Sequence, residues 1–329
     1  MYFFRVTSNY KSGKGHLNRS LRIRKQLKGK VTWFIDKGTN KSFFKEFDDI
    51  VIEESKDTSL LQLETKLIKM KAKVKAIFID MLLYNKSKIK KIASIYPTIL
   101  IVDKYLKLDN TLRICFHPIS QKDNNFISGF KYFPILKKNN IKNKNTVRKN
   151  ILISFGDVDS KKLTEKVIKA FNQIFKDNLL DEKKLFINIV LGNFKKNTDK
   201  LKLDIINKKY YKIHQGLNDL EKLYEKTEYA IGAPGFSQLE RVEHCIPTIL
   251  LSQNPIHKNL LQVWKRSKCA IIAKNSINDL KEQIIGLISS EKRKLEIKKN
   301  IIKSFDYKAT TRIKKKMQNF CNNYTKTNN

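Results

Sequence analysis

Tyr2-Phe3-Phe4-Arg5-Val6-Thr7, followed a few residues later by Ser12-Gly13-Lys14-Gly15-His16-Leu17-Asn18-Arg19, is the stretch from which the fold follows. The first run is short, apolar and aromatic, the pattern of a buried strand. Two glycines then open a loop, and His16–Leu27 continues with helical spacing. Strand, glycine-bearing loop and helix in that order begin a βαβ unit. Glycine in such a loop lets backbone N–H groups approach a ligand closely, and the helix start adds partial positive charge suited to a phosphate.

The same alternation extends outward from this start. Strands are expected at Val31–Asp36, Asp49–Glu53, Ala76–Asp80, Thr98–Asp103 and Leu112–His117. Helices are expected between them at Leu60–Met70 and Lys86–Ser94. Such alternation predicts parallel strands joined by helical crossovers. The run Lys137-Lys138-Asn139-Asn140-Ile141-Lys142-Asn143-Lys144-Asn145 is polar to basic and has no hydrophobic period, so it reads as a linker.

Beyond it the scheme repeats. Strands are expected at Asn150–Gly156, Lys184–Gly192, Tyr210–His214, Tyr229–Gly232, Thr248–Ser252 and Cys269–Ala273. Helices are expected at Ser160–Phe175, Leu217–Tyr224, Ser237–Cys245 and Ile256–Lys265, with two or three more at the end. The expected fold class is α/β, with two Rossmann-like doubly wound domains facing across a cleft. Residues 1–138 form the first, 139–149 the linker and 150–329 the second. Ligands of such sheets bind beyond the carboxyl ends of the strands.

The 329 residues carry 68 Lys and Arg against 31 Asp and Glu, a formal net charge of +37. The lysines are spread along nearly the whole chain, beside a surplus of Asn and Ile, which reads as a solvated and compositionally skewed surface. No basic module interleaved with exposed aromatics is present, so no specific nucleic-acid partner is expected. A basic surface does allow peripheral contact with an anionic membrane. Cys115, Cys245, Cys269 and Cys321 lie far apart without metal-ligand spacing, and read as small residues in a reducing compartment. With no signal-peptide pattern and no apolar stretch of spanning length, a cytoplasmic monomer is expected.

Only 11 glycines occur, and five of them fall in three loops: Gly13 and Gly15, Gly156, and Gly232 and Gly235. Each of these loops follows an expected strand and precedes an expected helix. Three such loops in two α/β halves point to a nucleotide-type ligand.

The segment from Gly13 to Arg19 resembles the Gly-x-Gly-His-x-x-Arg segment of a sugar-nucleotide hydrolase family. This family acts on a UDP-linked diacetamido-trideoxy sugar in pseudaminic acid synthesis, and is similar to the peptidoglycan N-acetylglucosaminyltransferase. Further matches follow in the same order. They are Gly129-Phe130-Lys131-Tyr132, Ile151-Leu152-Ile153-Ser154-Phe155-Gly156, Ile231-Gly232-Ala233-Pro234-Gly235-Phe236-Ser237 with Glu240-Arg241, and Ile246-Pro247-Thr248 leading to Gln253-Asn254. The resemblance implies the glycosyltransferase-B fold, a UDP-sugar substrate and hydrolysis that releases UDP. The alternative is a glycosyltransferase of the same fold, with a cell-envelope acceptor in place of water.

His16 is the expected catalytic residue. A neutral imidazole facing a cleft is a competent general base at cytoplasmic pH. The resemblance implies that it activates a water that attacks the anomeric carbon. Arg19 lies three residues on and shares its helix face; it either orients a diphosphate or is a solvated arginine. Asp80 and Asp103 end first-domain strands, and either contacts the sugar or orients His16. In the second domain the amides of Gly235 and Phe236, with Ser237, are expected to hold the pyrophosphate at a helix start. A carboxylate accepts hydrogen bonds from vicinal hydroxyls, and the family comparison implies that Glu240 meets the ribose. Asn254 and His257 follow the next strand within reach of sugar or phosphates. His117 ends a strand before Pro118 and could line the cleft. No cofactor is expected, and no required metal.

Overall fold

The computed structural model describes residues 1–8, 14–54, 59–69, 74–135, 149–156, 159–192, 205, 208–217, 220–306 and 308–328. Gly13 and nearly all of the expected linker lie outside them. The chain divides into two units, Met1–Leu136 with Asp306–Asn329, and Lys137–Phe305.

In the first unit the strands are β1 (Tyr2–Val6), β2 (Val31–Ile35), β3 (Ile50–Glu53), β4 (Ala76–Asp80), β5 (Thr98–Ile101), β6 (Thr111–Cys115) and β7 (Phe126–Ser128). They pair in the order β3-β2-β1-β4-β5-β6-β7, every neighbour parallel. The helices are α1 (Gly15–Arg24), α2 (Leu61–Lys69) and α3 (Lys86–Ala93). Central strands covered on both faces must be apolar throughout. Accordingly Phe3, Phe4, Trp33, Phe34, Ile77 and Phe78 are fully buried. Phe4 packs between Phe78 and Trp33, with ring centroids 4.3 and 4.5 Å away.

β1 and β4 are neighbours, with Val6 opposite Asp80. Connections depart from these two strands towards opposite edges of the sheet, so the gap at their carboxyl ends is the topological switch point. A buried ion pair fixes the chain as it leaves β1. Arg5 donates to Asp36 at 2.7 Å, and the other oxygen of Asp36 accepts the Ser8 amide at 3.1 Å.

The second unit holds β8 (Lys149–Ser154), β9 (Leu185–Leu191), β10 (Tyr211–Gln215), β11 (Tyr229–Gly232), β12 (Thr248–Leu250) and β13 (Ile271–Ile272). Their order is β10-β9-β8-β11-β12-β13, again all parallel. The helices are α4 (Leu163–Lys176), α5 (Glu221–Tyr224), α6 (Phe236–Glu243), α7 (Pro255–Ser267), α8 (Ile277–Ile288) and α9 (Glu291–Ser304). Here the switch point falls between β8, which leads to Gly156, and β11, which leads to Gly235.

The last helix, α10 (Ala309–Asn328), belongs to the first unit, whereas the expected second domain ran to residue 329. Its Ile313, Met317 and Tyr324 are buried. Tyr324 donates to the Ala93 carbonyl at 2.9 Å and Arg312 to that of Lys131 at 3.0 Å. β7 was also not expected. Among the described residues no helix is long and apolar enough to cross a membrane.

Gly232 closes β11 where no side chain fits. A Cβ there would stand 2.3 Å from the Ser154 carbonyl oxygen and 2.5 Å from Arg241 Nη1. Because backbone cannot swing aside, Gly232→Ala is expected to destabilise the second unit by about 1–3 kcal/mol. A thermal unfolding midpoint unchanged from wild type would refute this.

Candidate functional site

At the carboxyl ends of β1, β4 and β5 the first unit gathers four ionisable side chains. Asp80, the last residue of β4, is fully buried, and its carboxylate accepts hydrogen bonds from three residues. His16 Nδ1 lies 2.6 Å from Oδ1, Arg19 Nε and Nη2 donate at 2.7 and 2.6 Å, and Ser20 Oγ donates at 3.1 Å. Arg19 Nη1 donates to Asp103, just beyond β5. Helix α1 brings these donors together, since residues 16, 19 and 20 share one face at spacings of three and four.

The arrangement sets the histidine tautomer. An acceptor nitrogen at 2.6 Å from a carboxylate oxygen would oppose two lone pairs, so Nδ1 carries the proton and donates it. Arg19 Nη2, 3.0 Å from Nδ1, therefore bonds to the shared Asp80 oxygen and not to the ring. Nε2 remains the acceptor, and no hydrogen bond engages it among the described residues. A histidine so held can take a proton at Nε2, with a buried carboxylate opposite Nδ1 to balance the resulting charge.

Arg19 is 5% exposed, so the reading of a solvated arginine is wrong. Burial opposes its charge, but Asp103 and Asp80 outweigh that and push its pKa further up. Desolvation likewise works against ionised Asp103, and the Arg19 guanidinium prevails, holding the carboxyl well below the usual range. Of the two readings of Asp80, its burial favours orienting His16 over touching a ligand. His117 follows β6 and is buried, with its ring 6.4 Å from that of Phe130. Burial pushes its pKa down to about 4; nearby Asp103 opposes the shift, and Arg19 reinforces it.

In the second unit, two loops at the carboxyl edge are tied to each other and a third turn is held from within. Gln253 Nε2 donates to the Phe155 carbonyl at 2.6 Å and its Oε1 accepts the Ser160 amide at 3.3 Å, joining the β12 and β8 loops. Gly156 has φ +82°, a conformation that glycine adopts without strain. Buried Arg241 donates to the Ala233 carbonyl at 2.6 Å and to Gln238 at 2.8 Å, which holds the turn from Gly232 to Gly235.

The helix starts fall into two groups. Asn254, Ser276 and Ser290 each cap α7, α8 and α9 through their side chains. Both oxygens of Asp159 accept amides at the start of α4. By contrast α1, starting at Gly15, α5, starting at Glu221, and α6, starting at Phe236, carry no side-chain cap. Ser237 lies in the first turn of α6. A Cβ on Gly235 would meet His257 Nε2 at 3.7 Å, so this ring sits beside the start of α6. Asn254 spends its side-chain oxygen on the His257 amide at 2.9 Å. Glu240, half-buried on α6, accepts from Tyr224 at 3.3 Å, and the Tyr224 ring packs on His244.

The expected residues thus separate into His16, Arg19, Asp80 and Asp103 in one unit, and Gly156, Gly232, Gly235, Phe236, Ser237, Glu240, Asn254 and His257 in the other. Sequence reasoning gave no site role to Ser20 or Tyr224, and left Gln253 within a motif match. Ser20 was open to discovery, lying four residues after His16. Among the described residues no group of three or more His, Cys, Asp or Glu side chains is placed to hold a metal ion.

No family model matches the chain. A stretch of 105 residues, 32% of the chain, is 30% identical to the spore coat polysaccharide biosynthesis protein SpsG of Bacillus subtilis. Another of 157 residues, 46% of the chain, is 27% identical to an uncharacterised protein of Methanocaldococcus jannaschii. Each match spans 30% of the relative's length. Among solved structures, S. aureus MnaA with UDP superposes with a TM-score of 0.70 at 12% identity, over 98% of this chain and 96% of that one. A glycosyltransferase of Rickettsia africae gives 0.67 at 12% identity over 97% and 98%. Anabaena HepE in complex with UDP and glucose gives 0.66 at 12% identity over 97% and 99%. The two parallel-sheet α/β domains are those of the glycosyltransferase-B fold.

The buried imidazole of His117 has a consequence for stability. The unfolded chain takes up its proton as pH falls through about 6.5, but the folded protein does so only near 4. Between those values the unfolded state binds more protons, so this contribution is full above pH 6.5 and is lost on acidification. At about 1.4 kcal/mol per pH unit the loss approaches about 3 kcal/mol. His117→Gln cannot titrate, so its unfolding free energy should fall less between pH 7 and 4.5 than that of wild type. Equal losses in denaturant titrations would contradict the assignment.

Proposed function

We propose that the protein binds a UDP-linked deoxy-amino sugar and hydrolyses it to UDP and free sugar, with His16 as general base. The observation that carries this is the bond from His16 Nδ1 to buried Asp80, which leaves Nε2 as the proton acceptor. Support for the nucleotide comes from the uncapped start of α6, its glycine turn, and the fold shared with structures that hold UDP. Its backbone N–H groups, with Ser237, take the diphosphate. Glu240 receives the ribose hydroxyls, and His257 lies close enough to Gly235 to reach a phosphate.

In this mechanism Nε2 removes a proton from water as the water oxygen bonds to the anomeric carbon. The bond from that carbon to the β-phosphate oxygen breaks, and its electron pair leaves with UDP. The imidazolium is balanced by Asp80, and Arg19 keeps Asp80 in place by bridging it to Asp103. The substrate class fits nonulosonic acid or surface polysaccharide synthesis, in keeping with the partial relative of the spore coat polysaccharide pathway. A second reading draws on the glycosyltransferase with the same fold. There the same base deprotonates an acceptor hydroxyl in place of water.

Incubation with UDP-sugars, with and without acceptor, separates the two. UDP release in water alone supports hydrolysis, and release only with acceptor moves the assignment to transfer. His16→Ala should lower turnover by about 10²–10⁴-fold, the usual share of a general base. UDP should still raise its unfolding temperature, more than ADP or GDP does. Wild-type turnover in His16→Ala would remove this residue from the chemistry.

A further inference from the structure

The loop after Asp80 holds two neighbouring leucines out to solvent between buried anchors. Met81 turns inward and is buried, and Tyr84 anchors the loop by donating to the Ile101 carbonyl at 2.5 Å. Between these anchors Leu82 and Leu83 are held out to solvent, 47% and 65% exposed. Helix α3 follows at once. Ile89, Ile92 and Ala93 face the core, while Lys86, Lys90 and Lys91 are exposed and form no ion pair among the described residues. Past the helix, Ile95 is 66% exposed. From Met81 to Val102 there is no acidic residue.

Exposed leucines on an anchored loop cost free energy in water unless something covers them. Their flanking lysines say what that is. Lys88 of this helix pairs with Glu64 at 2.8 Å, but the three lysines left unpaired among the described residues, set beside protruding apolar side chains, complement an anionic lipid surface, where acyl chains lie beneath negative headgroups. A nucleic acid would use the lysines but leave the leucines in water. A second basic helix with exposed apolar residues, α9 with Leu295 and Ile302, lacks this character, since Glu291 and Glu296 share it and Lys294 pairs with Glu291.

We propose that the β4–α3 loop and the outer face of α3 dock on an anionic phospholipid bilayer, Leu82 and Leu83 entering the acyl region and Lys86, Lys90 and Lys91 meeting the headgroups. The loop begins one residue after Asp80, so docking brings the His16–Asp80 pair to the lipid interface. The proposal needs no nucleotide, and its test is made without one.

Cosedimentation with vesicles of phosphatidylcholine, alone or mixed with phosphatidylglycerol, near 0.15 M salt reads the partition coefficient. Wild type should bind the mixed vesicles far more tightly than the neutral ones. Leu82→Ser with Leu83→Ser should weaken binding at least about tenfold, from the lost apolar transfer. Lys86→Gln, Lys90→Gln and Lys91→Gln together should weaken it roughly a hundredfold, at about fivefold per lysine near an anionic surface. Leu295→Ser with Ile302→Ser should bind as wild type. All these positions are exposed, so circular dichroism and unfolding temperature should match wild type. Wild type left in the supernatant, unchanged binding of the Leu82/Leu83 variant, or equal weakening of the Leu295/Ile302 variant would each overturn the proposal.

Discussion

Asp80 is the constraint on which the first unit's polar edge depends. A fully buried carboxylate is tolerable only if its charge is answered and its lone pairs are filled. Here it is answered by Arg19 and filled by Arg19, Ser20 and His16. Removing any of these donors leaves a buried anion underserved, so His16 is held as much by the needs of Asp80 as by its own packing. The same bonds that stabilise the carboxylate fix which ring nitrogen holds the proton. Stability and a potential base are two consequences of one hydrogen-bond set.

The second unit solves a different problem. Its turn from β11 into α6 carries no capping side chain, and the chain around that turn is held fixed. The stiffness comes from below and beside the turn, through Arg241 beneath the Gly232 close approach and Gln253 across to Phe155 and Ser160. With those bonds in place, α6 begins after Gly235 without a capping side chain. An Asp or Ser at that position would fill the helix start from within, as Asp159 does at α4.

Much of the architecture was legible from periodicity, because a strand covered on both faces must be apolar and a helix over a sheet must be amphipathic. Twelve strands were expected, and each has its counterpart. The one missed, β7, is three residues long and follows Asp123, Asn124 and Asn125, so no apolar run announces it. The placement of α10 was not legible either. Its buried Ile313 and Met317 show that one face is covered, but an apolar stripe does not say which sheet covers it. Arg19 stayed ambiguous for a like reason, since spacing put it beside His16 without revealing that two carboxylates from distant strands awaited it.

What the amino-acid sequence determined by itself is the order of strands and helices, the loops that carry glycine, and the residue types available at the strand ends. These follow from local rules, the burial period of each element and the backbone freedom of glycine. Only the tertiary structure decided which of those residues meet. Asp80 and Asp103 lie more than sixty residues beyond Arg19, and Phe155 lies about a hundred before Gln253. Parallel pairing through crossovers brings such strand ends together, and a hydrogen bond between them leaves no local trace in the chain.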